Sequence, residues 1–183
     1  MKIIILEEHG FESAMRGLAR SFNQDVAKMP AVALNLGPKD LGHNKFLESI
    51  VVWIDIDAPR FWWSEFDTYR VGVTKQSDST MHTLKRRLLT MDDFEMPIDA
   101  DYPELLNLKI LSVNIDIENV KNALPDGFIQ GRTVCMNYKA IRNMILQRRN
   151  HKLPQWRKFC EAMKNLKYAE YLGIEGWQLA EAR

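Results

Sequence analysis

Residues 51–57 alternate: Val52, Ile54 and Ile56 fall on one side, Asp55 and Asp57 on the other. That is the pattern of a strand with one buried face. Ala58-Pro59 follows, and proline fits the first turn of a helix. Trp62, Phe66 and Tyr69 then share one helical stripe, which predicts a helix running to Thr68-Tyr69-Arg70 and a hydroxyl-rich loop after it. Upstream, residues 1–6 read as a first strand, because Glu7-Glu8-His9 cuts the apolar run short of a secretory signal. Phe11, Met15, Leu18, Ala19 and Phe22 recur at helical spacing and predict a short helix.

Downstream the pattern gives a strand ending at Asn137, a helix ending at Arg148-Arg149, and a fresh helix entered through Pro154-Gln155-Trp156. Trp156, Phe159, Cys160, Met163 and Leu166 form the apolar stripe of that last helix, and Gly173 is a stop beyond it. Residues 35–40, residues 96–103 and the Asp126-Gly127 turn carry Pro or Gly beside Asp or Asn, so they punctuate the chain without dividing it. Strands alternating with helices predict an α/β (α+β) fold, a mixed sheet with packed helices, in a single domain over residues 1–183.

Composition narrows the class. The 183 residues are 46% hydrophobic and 27% charged, and no apolar run reaches the roughly 18 residues of a membrane span. Cys135 and Cys160 are the only cysteines, without the spacing of a zinc site or a disulfide framework, which fits a reducing cytoplasmic location and no metal. Cys160 lies on an apolar stripe, and neither cysteine has the cationic setting of an activated thiolate. A net charge of +1 gives no whole-protein field to gather nucleic acid. The basic residues Arg142, Arg148, Arg149, Lys152, Arg157 and Lys158 therefore read first as a solvated helix face.

Singly, the chemical candidates have bland explanations. His43 after Gly42 suits a solvated loop, Arg148-Arg149 complements the negative end of a helix dipole, and Thr74, Ser77, Ser79 and Thr80 can satisfy their own backbone as readily as cradle an anion.

Their order along the chain adds a resemblance. Gly42-His43, a strand, the Ala58-Pro59 helix start and the segment from Thr68-Tyr69-Arg70 to His82 resemble the flavin-dependent thymidylate synthase (ThyX) family, as do Lys121, Leu124-Pro125, Asn137, Lys139, Asn143, Arg148 and Gln155-Trp156. The resemblance covers residues 1–163 and is strongest over 42–82 and 121–156. The family signature R-H-R-x-x-S is degenerate here: Arg70 keeps the last Arg, while Thr68 and Tyr69 replace the first Arg and the His. With one extra residue, Thr74 and Ser79 match the signature serines and Gln76 the Asn, whereas Ser77, Met81 and His82 stand where the family has Glu, Arg and Tyr.

The resemblance implies a ThyX-like fold and a homotetramer whose flavin sites lie between subunits. It implies methylation of dUMP to dTMP with reduced FAD, methylenetetrahydrofolate as carbon donor and NADPH as reductant, with no protein nucleophile. It places His43, Arg70, Asn137, Lys139 and Asn143 against FAD, Ser79 and Lys121 against the nucleotide, and Arg148 on the pyrimidine as the catalytic group. The alternative is a catalytically silent ThyX-like homologue with a nucleotide-binding or structural role. The aromatic load of Phe61, Trp62, Trp63 and Phe66 on one helix further predicts that one side packs on a neighbouring copy.

Overall fold

The computed structural model describes residues 1–99, 101–112 and 116–177. Four strands, β1 (Lys2–His9), β2 (Val51–Pro59), β3 (Val73–Ser77) and β4 (Ile129–Asn137), form an antiparallel sheet in the order β1-β2-β4-β3. The alternation around residue 54 decides its sidedness. Val52, Ile54, Ile56 and Ala58 are buried, whereas Trp53 and Asp57 face outward and Asp55 is half-buried, accepting from Thr133 Oγ1 at 2.6 Å.

The helices among the described residues are α1 (Phe11–Phe22), α2 (Met29–Leu36), α3 (Arg60–Phe66), α4 (Thr80–Thr83), α5 (Asp101–Ile110), α6 (Ile117–Asn122), α7 (Tyr138–Arg148) and α8 (Pro154–Ala162). The main core forms where α3, α7 and α8 meet the buried sheet face. Trp62 lies 4.9 Å from both Trp63 and Trp156, centroid to centroid, and 5.0 Å from Phe66. A second apolar cluster, around Leu84, Phe94, Leu106, Val120 and Phe128, is built mainly from residues of α5, α6 and the adjoining loops.

Several expectations change here. Helix α3 stops at Phe66 and does not reach Arg70, because tight turns follow: Asp67 N–H donates to Trp63 O, Thr68 N–H to Glu65 O, and the Thr68 hydroxyl to the same Glu65 carbonyl at 2.7 Å. The hydroxyl-rich loop is largely strand β3, with Thr74 and Gln76 on its exposed side and Lys75 turned inward to Asp67 at 2.6 Å. Pro103 lies inside α5, so residues 96–103 are not all linker. The aromatic face expected on a neighbour is consumed internally: Trp62, Trp63 and Phe66 are fully buried and Phe61 is half-buried. Ile4, Leu6 and Trp53, on β1 and β2, are among the exposed apolar residues.

Candidate functional site

Of the residues expected to hold a cofactor, His43, Arg70, Asn137 and Lys139 border residues 40–49. Gly42, with φ +123, bends the chain before a 3-10 turn, Lys45–Ser49. On one side of that turn lies a cleft of about 410 Å³, walled by Ala14, Gly17, Leu18 and Ser21 of α1 and by His43, Lys45 and Phe46. That volume is in the range of about 300–1,000 Å³ usual for ligand clefts. Its wall carries two basic side chains, several serines and no carboxylate. The side chains of His43, Lys45, Ser13 and Ser21 make no hydrogen bond among the described residues.

On the other side of the same turn, Glu48 joins Arg70, Gly72, Thr74 and Asn137 around a shallower hollow of about 340 Å³. Asn137 opens α7 as its cap, the side-chain oxygen accepting from Ala140 N–H at 2.9 Å, which leaves both N–H groups of Nδ2 for a ligand. Gly72 makes room for this: a Cβ there would stand 2.3 Å from Asn137 Nδ2. Lys139, half-buried, bonds the buried Asn44 side chain, which in turn donates to Gly37 O at 3.1 Å. Asn143 is one turn further along α7 and exposed. His43, Arg70, Asn137 and Lys139 thus border one segment, although residues 43 and 139 are far apart in sequence.

Arg148 sits in a different setting. Its Nε donates to the Tyr69 hydroxyl at 2.9 Å, its Nη1 donates to Glu65 Oε2 at 2.8 Å and lies 2.9 Å from His151 Nε2, and the guanidinium stacks 4.8 Å from the Trp156 ring centroid. Trp156 Nε1 donates to the same Glu65 oxygen at 2.8 Å. Tyr69 is therefore a partner of Arg148.

Ser79 and Lys121 lie elsewhere. Ser79 is the exposed residue before α4 and makes no side-chain cap. Lys121 is exposed on α6; the adjoining Leu124 carbonyl accepts from Arg60, at the start of α3, whereas Arg148 meets Glu65 near its end. Among the described residues no hydrogen bond and none of the hollows described joins Ser79, Lys121 and Arg148, the three residues expected at a nucleotide. Nor do the basic residues of the chain's last third form a single face. Arg142 is buried, donating to Leu172 O, Pro38 O and Asp40.

Neither cysteine lies in an activating environment. Burial pushes the Cys160 thiol up to about 12, and burial followed by the charge of Glu7 raises Cys135. Sequence reasoning missed Ser21, Lys45 and Glu48 as lining residues, and Glu65 as the counter-charge of Arg148. Glu48, inside the 3-10 turn, was a local signal; contacts to α1 and α3 carry none.

The antiparallel sheet backed by α3, α7 and α8 makes a mixed α/β fold, which comparison with solved structures shows to be ThyX-like. Two solved structures make the comparison concrete. The flavin-dependent thymidylate synthase ThyX from Helicobacter pylori, complexed with FAD and dUMP, superposes with a TM-score of 0.80 at 16% identity, covering 94% of this chain and 97% of that one. A second structure of Helicobacter pylori ThyX with FAD and dUMP gives 0.74 at 17% identity with the same coverage. No family model matches the sequence. No curated protein matches it by sequence.

Proposed function

We propose that this chain is a divergent flavin-dependent thymidylate synthase-like protein that acts as one domain, with FAD beside residues 40–49 and a pyrimidine nucleotide, dUMP, at Arg148. The observation that carries the reading is the gathering of His43, Arg70, Asn137 and Lys139 about one segment, in a fold whose solved neighbours hold FAD and dUMP. The residues suit a dinucleotide. His43, Lys45 and Arg70 bring positive charge or donors for phosphate, and Leu18 and Phe46 give an apolar surface for a ring.

In the methylation of dUMP to dTMP, reduced FAD would supply hydride, with methylenetetrahydrofolate as carbon donor and NADPH as reductant. The chain itself supplies positioning and charge. Arg148 is oriented by Tyr69, Glu65 and Trp156, which leaves Nη2 as the donor held ready for a pyrimidine. The high thiol pKa of Cys160 suits a reaction without a protein nucleophile.

Lys121 and Ser79 would contact the nucleotide from another copy, which makes the homotetramer part of this reading. The outward-facing Ile4, Leu6 and Trp53 offer an apolar surface for assembly. A cytoplasmic setting belongs to this reading on the strength of the cysteine usage. Among the described residues no helix is long and apolar enough to cross a membrane.

A second reading, a silent homologue that binds nucleotide without turnover, is favoured by one feature: the Arg148 charge already faces Glu65 at 2.8 Å. The test is retention of added FAD through gel filtration, followed by an assay of dTMP formation. Flavin with turnover supports the enzyme, flavin without turnover supports the silent homologue, and a folded protein that retains no flavin overturns both.

A further inference from the structure

The tip of the segment that carries His43 is held in an unfavourable form. Leu41 has φ +68, in the left-handed region where a leucine is strained, and it is 95% exposed, so no packing of its own side chain keeps it there. Gly42 follows with φ +123. Strain of this kind persists only where the flanking structure imposes it.

Both flanks of residues 41–43 are tied to α7. On one side the buried Arg142 engages all three guanidinium nitrogens: Nη1 donates to Asp40 Oδ1 at 2.8 Å, Nη2 to Pro38 O at 2.9 Å and Nε to Leu172 O at 2.9 Å. On the other side Lys139 Nζ donates to the side-chain oxygen of the fully buried Asn44, whose Nδ2 donates to Gly37 O at 3.1 Å. Residues 139 and 142 are neighbours on one helix face, so the two ties act from the same surface of α7. Between them His43 is exposed on the wall of the cleft.

We propose that Arg142 is a positioning residue: through Asp40 and Pro38 it imposes the left-handed turn at residues 41–42, and that turn fixes His43 on the cleft wall in the form the flavin meets. The proposal rests on the reading of residues 40–49 as the flavin site. Arg142 gives all its nitrogens to the chain and acts through His43. With the tie cut, the turn relaxes to ordinary backbone conformations, and FAD binds only the fraction that still presents His43.

Asp40 is the place to cut. Its side chain is 67% exposed, so its loss opens no cavity in the core. It is also an anion beside a site proposed for a polyanion, so by charge alone its removal should tighten FAD binding. A loss of affinity therefore reports geometry.

The experiment is a fluorescence titration of the full chain with FAD, for the wild type, Asp40→Ala and Asp40→Asn, with Asp40→Ala repeated in a His43→Ala background. Asp40→Ala should weaken binding by about tenfold, the penalty when only about a tenth of the molecules keep the turn. Asp40→Asn keeps an acceptor for Arg142 without the charge, and should bind at least as tightly as the wild type. In the His43→Ala background Asp40→Ala should cost little more. Unchanged or tighter binding by Asp40→Ala, an equal loss in Asp40→Asn, or a loss of the same size without His43 overturns the proposal and leaves the flavin site standing. Arg142→Ala should lose at least as much as Asp40→Ala, and the Asp40 series decides even if Arg142→Ala does not fold. A folded wild type that binds no FAD overturns the flavin reading itself, and the proposal with it.

Discussion

Arg148 Nε donates to the Tyr69 hydroxyl at 2.9 Å, joining the end of α7 to the turn after α3 across 79 positions of sequence. The Tyr69 hydroxyl in turn donates to Gln147 Oε1 at 2.9 Å, so one hydroxyl serves two residues of α7. Removing it with Tyr69→Phe should lower stability by about 1 kcal/mol, the usual net worth of such a bond. Urea denaturation checks this, and an unchanged midpoint would mean that the two elements are held by packing alone.

Arg148→Ala should abolish the response to nucleotide. Ligand at about 100 times its dissociation constant stabilises by about 2.7 kcal/mol, so dUMP at that excess should raise the wild-type melting temperature clearly. An equal rise in Arg148→Ala would remove that residue from the nucleotide site.

Gly72→Ala should be more damaging than its size suggests. The residue has φ +70, and the added carbon would meet the Asn137 side chain at 2.3 Å. Left-handed strain and displacement of the α7 cap together should amount to about 2 kcal/mol or more, against about 1 kcal/mol for Asn137→Ala alone. Because both act through the same cap, the double variant should lose less than the sum. Additive losses would show that the two residues act independently.

Acid should loosen the second apolar cluster. Burial pushes the Asp93 carboxyl up, but hydrogen bonds from Arg87 and Thr90 and the Arg87 charge outweigh it and hold the group below its ordinary value. A carboxyl depressed in the folded state contributes stability that is complete above the unfolded value and is lost as pH falls through the folded one. Stability should therefore decline below the usual carboxylate range. Arg87→Ala should flatten that acid limb and reduce stability at neutral pH by about 1–2 kcal/mol. An acid limb of unchanged slope in this variant would assign the titration to other groups.

The periodicity at residues 51–57 and the Pro154 helix start were legible because burial there follows local spacing. Strand β3 was not, since its inward-facing Lys75 runs its stem along the core, lies 5.7 Å from the Phe66 ring centroid and ends on Asp67. A lysine at that position breaks the apolar alternation that marks a strand. The candidate site divides in the same way. Asn137 was readable as a residue between a strand and a helix, whereas the Glu65 counter-charge to Arg148 arises from packing of α3 on α7, which no spacing along the chain encodes. The cleft beside His43 depends on α1, more than twenty positions away, and Gly17 in its wall leaves open space where a Cβ would stand.

Flavin retention bears most directly on the account as a whole. The purified chain, incubated with FAD and passed through gel filtration, should elute with the flavin absorbance band, and Arg70→Ala should reduce the bound fraction. A folded wild-type protein that elutes without that band, at FAD concentrations that load a flavin-dependent thymidylate synthase run as a control, would contradict the proposal of residues 40–49 as a flavin site.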